Sequence, residues 1–383
     1  MKALGMLALT LALILLTGCT AAQGAMQLYV QPGALEDGQM QRLLSLLQAE
    51  YEDDGWSLMG DAKPLRELVL AGTAPDLAIC EPKEARTWAQ EGLLLPLHTK
   101  ISGQLRMQRQ VLDQCVQGEA LFMAPLVARH RQMAVNVSRF EEMGLGYMLD
   151  AKTYPVWYPA QFYQILEEFL IRDEVAVDVW RAQTDNSAAI EALIQAIFGG
   201  MLLSEDGSYA TADDAALQAG VQWLFDAIDD DMIGYCETRE DALERFYSGE
   251  TAIFIDWTRD LQRQALERGM EIEERPYPSS IGLPVRSFEL TGVCAFSSGD
   301  AQRDLRLANA CAMLHDQAQD VLGSRGIWQD GALWPASLDA HDYGATLRSL
   351  FCTALTAVIE ERTDEQEALA RVQAAMDALG RTK

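Results

Sequence analysis

The chain has little of what most enzymes and metalloproteins use for their chemistry. Its four histidines stand at positions 98, 130, 315 and 341, too scattered for a histidine-rich metal centre. No two cysteines have C-x-x-C spacing, which weakens zinc and thioredoxin-type readings. P-loop, zincin, EF-hand and nucleophile-elbow spacings are missing too, so neither a metal nor a cofactor is expected. Positive charge is also scarce. Thirty Lys and Arg against 57 Asp and Glu leave a formal charge of -27, which argues against nucleic acid or an anionic membrane surface as a partner. There is no low-complexity tract, and beyond Leu16 no apolar run is long enough to span a bilayer.

What is there is the composition of a globular protein, 49% hydrophobic and 23% charged. At 383 residues the chain is long for one core, so two domains are expected. The acidic excess reads as a solvated surface and does not call for a cationic ligand. The N-terminus gives the compartment. Met1-Lys2 is a minimal positive segment, and Ala3–Leu16 is an apolar segment of signal-peptide length. It ends in Leu16-Thr17-Gly18-Cys19, which resembles the lipobox of bacterial lipoproteins, where cleavage leaves the cysteine as a lipid-modified N-terminus. Residues 1–19 are therefore expected to be a signal peptide with lipidation at Cys19, and residues 20–25 a tether. The mature protein would sit on the extracytoplasmic face of the cell membrane. Of the six remaining cysteines, Cys311 lies on a helical stripe with Leu305, Ala308 and Ala312, and Cys294 lies in the run Val293–Phe296. Both are expected as buried thiols.

Along the mature chain, strands (Met26–Val30, Leu77–Cys80) alternate with helical patterns (Leu43, Leu47 and Tyr51; Leu65–Ala71), which indicates an α/β domain with a largely parallel sheet. The stretch Gly118–Gly144 is pivotal. Pro125 interrupts Ala120–Val127, which reads as a strand end or bend. Arg129, His130 and Arg131 follow, then the apolar Met133–Val137, then Ser138 and Glu141 in capping-box register. Strand, polar bend, strand, helix suggests that the chain changes domains here. Further on it turns helical, with stripes at Phe162, Ile165, Leu166 and Phe169, at Ile190–Met201, and at Leu217–Ile228. Gly249 stops a helix over Thr238–Ser248, Thr251–Ile255 reads as a strand with Asp256-Trp257 at its exit, and two helices, Tyr343–Ile359 and Thr363–Leu379, end the chain.

Several of these segments, taken in order, resemble the extracellular solute-binding proteins of ABC importers, in particular the sugar-binding family that includes maltodextrin-binding proteins. Ala71-Gly72-Thr73-Ala74-Pro75-Asp76 is similar to that family's "aGtaPD", and Gly92–Leu97 to its "GLLxPL". Pro125, Asn136, Phe140, Glu141, Glu142 and Gly144 match "YgvP…YNkdlFeeaG". Phe246–Ala252 with Trp257 is similar to "F-x-x-GkaAM…W", and Tyr154–Phe162 is a weaker match to "P-x-TW-x-E-F". The resemblance implies an α/β, two-lobed periplasmic-binding-protein-like fold of type II, with the ligand cleft between lobes joined by three hinge crossings. These would fall near Pro125–His130, Arg286–Gly292 and Leu322–Gly326, so that 26–127 plus 292–322 form lobe 1 and 128–291 plus 323–383 form lobe 2.

Carried over by motif, the ligand-facing residues would be Gln31 and Gly33 after the first strand, Cys80, Glu81 and Lys83 after the Pro75-Asp76 strand, Arg129 and His130 at the first crossing, and Trp257 and Trp334 as aromatic platforms. Cys80 departs from the family, whose sugar binders commonly carry an aromatic or polar group there. An aromatic face with polar groups at its edge suits a sugar, whose C–H face lies on the ring. The arginine suits carboxylates or phosphates as well as hydroxyls. The implied function is a monomeric, lipid-anchored receptor that captures a small polar solute, a carbohydrate foremost, and delivers it to an ABC transporter permease. A sensor or adaptor of the same fold for a membrane signalling protein is the first alternative, and an exported glycosidase working with two carboxylates is the second.

Overall fold

Two α/β cores, each with parallel strands beside antiparallel ones, share one long strand. The computed structural model describes residues 25–35, 37–59, 63–97, 109–183, 186–203, 210–285, 287–322 and 343–379. Cys19, Trp334 and the tether lie outside these residues, as do the side chains of Arg129 and His130.

The first core begins with β1 (Gln27–Val30), α1 (Asp37–Glu50), β2 (Ser57–Leu58), α2 (Leu65–Leu70), β3 (Leu77–Cys80) and α3 (Pro82–Gln90). β1 lies between β2 and β3 and runs parallel to both. Asp76 fixes the start of β3. Its carboxylate accepts from Gln27 N (2.8 Å) and from Arg303 Nη2 (2.6 Å), so the "PD" pair serves the sheet and not a ligand. α4 (Arg109–Cys115) and the hairpin β4 (Val116–Gln117) and β5 (Ala120–Leu121) lead into β6 (Ala124–Asn136).

β6 corrects the expected bend. It is continuous for 13 residues, and Pro125 lies within it, opposite Gly292, where the pairing register shifts. The irregular register accommodates the missing N–H, so proline costs no regular ladder bond. The Pro125 carbonyl instead accepts from Nδ1 of the buried His315 (2.6 Å). Close packing demands glycine at 292, where a Cβ would meet Met123 Cγ at 2.7 Å and Ala124 O at 2.8 Å. Residues Ala124–Ala128 belong to the first core and Met133–Val135 to the second, so one strand passes from one core to the other.

The second core follows with α5 (Val137–Glu142), α6 (Pro159–Leu170), β7 (Asp178–Trp180), α7 (Ala188–Phe198), α8 (Ala215–Asp229), β8 (Gly234–Cys236), α9 (Arg239–Ser248), β9 (Ile253–Trp257), α10 (Arg259–Glu267) and β10 (Ile272–Arg275). Phe162, Ile165, Leu166 and Phe169 are all buried, as their spacing predicts. β9 and β10 pair antiparallel with the second half of β6, β7 is bridged parallel to β9 through Val177–Ile253, and β8 is parallel to β7. β11 (Ser287–Ala295) then returns antiparallel along the first half of β6 and joins β3, giving a second passage between the cores. α11 (Ala301–Val321) covers the first core, and α12 (Gly344–Ile359) with α13 (Glu365–Ala378) covers the second. The expected third crossing falls largely on residues outside those described. Among the described residues no helix is long and apolar enough to cross a membrane.

Cys294 and Cys311 are buried free thiols, as expected, and so are the other four described cysteines. Leu305 is half exposed, so the α11 stripe is carried by Leu307, Ala308, Cys311 and Leu314 instead.

One buried carboxylate has a measurable consequence. Asp178 opens β7, bonded to Arg245 Nη1 (2.8 Å). Gly234 leaves it room, since a Cβ there would lie 1.9 Å from Asp178 Oδ1. Burial outweighs the arginine and pushes the carboxyl from 3.8 up to about 6. Between those values the folded protein holds a proton that the unfolded chain has released. Asp178 therefore favours folding fully below pH 4, and this contribution, about 3 kcal/mol, is lost as pH rises through 6. Asp178→Asn should remove that term. The difference in urea stability between wild type and variant, followed from pH 4 to pH 7, is expected to change across this window and level off above it. A flat difference would contradict the assignment.

Candidate ligand-binding cleft

Strand direction locates the site. β11 enters the first core from the second, and Cys80 pairs with Gly292, the residue of that pairing nearest the passage. The carboxyl ends of β3 and the parallel β1 therefore face the passage. In the second core, Trp257 at the end of β9 pairs with Gln132, close to where β6 leaves the first core. β7 and β8 run parallel to β9, so their carboxyl ends point the same way. Both sheets thus present their carboxyl edges to the shared strands β6 and β11, the position at which open α/β sheets bind ligands.

On the first edge, Gln31 follows β1 and Glu81 follows β3. The Gln31 side-chain oxygen accepts from Glu81 N (3.0 Å) and Gln31 N donates to Ile79 O (2.8 Å), which ties the two loops together. Gly33 turns after β1 at φ 81°, a conformation natural to glycine, with no atom of the described residues within 4 Å of the place a Cβ would take. Lys83 is exposed in the first turn of α3. Four of the expected residues, Gln31, Gly33, Glu81 and Lys83, therefore share one edge. Arg129 and His130 are placed by backbone alone, on β6 opposite Glu289 and Phe288.

Two expectations are corrected. Cys80 is wholly buried, and its thiol is pushed well above its usual pKa by a hydrogen bond with Cys294 and by burial. It closes the sheet and does not face a ligand. Trp257 is also wholly buried. Its ring meets Phe246 (centroids 5.8 Å apart, planes at 68°) and Tyr247 (6.5 Å, 73°), and its Nε1 donates to Glu274 Oε1 (3.3 Å). An indole held by two aromatic edges and a satisfied N–H is a core residue. Trp334 lies outside the described residues.

The second edge carries a charged group that the motif comparison did not single out. Asp256, next to Trp257, has a fully buried side chain bonded by two arginines. Arg131 Nη1 reaches Oδ1 at 2.7 Å, Arg239 Nε reaches Oδ2, and Arg239 Nη2 also donates to the Asp256 carbonyl (3.2 Å). The Arg239 guanidinium lies over the Phe254 ring, 5.3 Å from its centroid. Gln132 Nε2 donates to Glu274 Oε2 (2.6 Å) beside it. One signal for this group was present in the sequence: Asp256 is the one charge in the buried strand Ile-Phe-Ile-Asp-Trp, and a buried charge requires a partner. Among the described residues no cluster of His, Cys, Asp and Glu could hold a metal ion.

No protein-family model matches the chain, and no curated protein matches it significantly in sequence. Solved structures do match its fold. UgpB from Mycobacterium tuberculosis, in complex with glycerophosphocholine, superposes with a TM-score of 0.69 at 11% identity, over 93% of this chain and 98% of that one. The GacH receptor of Streptomyces glaucescens, solved unliganded and with acarbose, gives 0.70 at 14% identity, over 94% and 99%. An ABC transporter solute-binding protein from Thermotoga lettingae, bound with alpha-D-tagatose, gives 0.65 at 15% identity, over 92% and 98%. Across nearly its whole length, the chain has the two-lobed α/β fold of the type II solute-binding proteins of ABC transporters.

Proposed function

We propose that this protein is an extracytoplasmic receptor that captures a small polar solute, a carbohydrate foremost, between two lobes and delivers it to an ABC importer permease. The observation that carries the reading is the convergence of both carboxyl strand edges on β6 and β11, in a fold shared over more than nine-tenths of the chain with proteins solved around such solutes. Lobe 1 is assigned to residues 26–127 with 292–322, and lobe 2 to 128–291 with 323–383. The core residues Ala128 and Leu290 suggest that each boundary lies a residue or two inside the crossing strand. Gln31, Gly33, Glu81 and Lys83 form the first wall, and Arg129 and His130 stand at the hinge. The lipobox-like Leu16–Cys19 supports tethering through lipid at Cys19, and the protein works as a monomer without a catalytic step.

Screening the protein by thermal shift against sugars, polyols, sugar phosphates, amino acids and peptides tests this. A solute at one hundred times its Kd should add about 2.7 kcal/mol of stability. Stabilisation by one chemical class, growing with concentration and leaving the solute intact, is the expected result. No stabilisation by any class, or turnover of a glycoside by the protein alone, would overturn the reading.

A further inference from the structure

Three consecutive residues at the end of β9 hold both of the described strands that pass between the cores. Ile255, Asp256 and Trp257 are wholly buried. The Ile255 carbonyl accepts from the Tyr277 hydroxyl (2.8 Å). Tyr277, itself wholly buried, donates its N–H to Val285 O (2.9 Å), and Val285 is the last second-core residue before β11. Asp256 holds Arg131 of β6 (2.7 Å), which stands opposite Ser287, the first residue of β11. Trp257 pairs with Gln132 through the backbone. Glu274 on β10 closes the group, accepting from Gln132 Nε2 (2.6 Å) and from the Trp257 indole (3.3 Å). A buried ion pair adds little net stability over apolar residues of the same shape, so stability alone does not account for a carboxylate in the strand Ile-Phe-Ile-Asp-Trp. What a satisfied buried network supplies is orientation, and here it fixes where each crossing strand leaves the second core. On the other side, Ala128 and Leu290 belong to the first core. Between these anchors the two crossings keep only Arg129–His130 on β6, paired with Phe288–Glu289 on β11; Phe288 leans on the first core but is only partly buried.

Resting on the solute-receptor reading, we propose that Asp256, Glu274 and Tyr277 are positioning residues: with the end of β9 they seat both crossings in the second lobe, so that the lobes turn about the short ribbon of Arg129–His130 and Phe288–Glu289. Thr258, directly after the seat, lies at the cleft edge. A solute held at that edge and the crossing strands therefore share one element, which ties solute contact to the angle between the lobes. Few residues are left to order on closure, and this keeps its entropic cost low.

Spin labels on the exposed positions Gln41 and Glu167, one on each lobe, test this in the unliganded full chain. They are attached through bio-orthogonal residues, so that the native thiols stay unlabelled. Tyr277→Phe, which removes only the hydroxyl, and Glu274→Ala should each broaden the distribution of inter-lobe distances. Hydrogen exchange should quicken roughly fivefold, the equivalent of one lost hydrogen bond, at residues 131–132 in Glu274→Ala and at residue 277 in Tyr277→Phe, while Ala124–Ala128 exchange as in wild type. Glu274→Gln, which can still accept from one of the two donors, should lie between wild type and Glu274→Ala. Phe169→Leu is the control: it loosens the second core on α6, away from β9, and should leave the distribution unchanged. An unchanged distribution in either Tyr277→Phe or Glu274→Ala, or equal broadening by Phe169→Leu, overturns the proposal. The measurement uses no solute, so the receptor reading stands or falls separately, on the thermal screen.

Discussion

Trp257→Ala is expected to lower the stability of the unliganded protein by about 3–5 kcal/mol, the usual cost of emptying an aromatic core site. At the size of the second lobe this corresponds to a drop of roughly 6–20 °C in melting temperature. The indole is wholly buried between Phe246 and Tyr247 and cannot be replaced there by water without leaving a cavity lined by aromatic edges. Its N–H partner, Glu274, lies at the surface and is rehydrated when the indole is removed, so the loss is dominated by packing. Trp257→Phe should recover most of the stability. A residue that contacted the ligand alone would behave otherwise: its alanine variant would melt like wild type without ligand and differ only with it. Melting curves without solute separate the two.

The second large effect is expected at Asp256. Removing one partner of a buried ion pair typically costs 3–5 kcal/mol, because the remaining charge stays buried without compensation. Asp256→Ala leaves two guanidinium groups, both more than three-quarters buried, facing each other without their shared carboxylate. We expect a loss of about 4 kcal/mol, readable as a shift in urea midpoint. Replacing Arg239 by methionine in the same molecule should return part of it, since one of the two buried cations is then gone and methionine can still cover Phe254. The coupling between the two sites, taken from a double-mutant cycle, is the quantity to measure. Additive effects would mean that the short contacts around Asp256 carry no energy.

Much of this architecture was legible in the residues. Leu77–Cys80 is the strand its composition suggests, Pro82 opens the next helix, and Gly249 ends another in the left-handed conformation expected of a C-terminal glycine. Those features are local, and local chemistry decides them. Helix starts were less certain because neighbouring residues compete for the same role. Asn136, not Ser138, caps α5, accepting from Arg139 N, and the last helix, expected from Thr363, is capped by Asp364, which accepts from Glu367 N. Any of these side chains can satisfy a first-turn N–H, and tertiary placement decides which does. Pro125 misled for a related reason. Its effect on a strand depends on the partner strand, and the irregular register at Gly292 is more than 160 residues away in sequence.

The site was read less completely than the fold. Position relative to a strand end was carried correctly for Gln31 and Glu81, because the ends of β1 and β3 follow from apolar runs. Side-chain direction was not. Cys80 and Trp257 are the last residues of their strands, and both turn inward because β3 and β9 are covered on both faces. The charged group at the second edge comes from three separate elements: Arg131 on β6, Arg239 on α9 and Asp256 on β9. No spacing rule joins positions 131, 239 and 256.

The central claim is that one solute touches both strand edges across β6 and β11. Hydrogen exchange on the full chain, with and without a solute found by the thermal screen, tests it most directly. The account predicts that bound solute slows exchange together at Gln31–Ala34, at the Glu81 loop, and at the β8 and β9 ends around Arg239 and Trp257–Thr258. Protection confined to one of the two cores, or appearing away from both carboxyl edges, would contradict it.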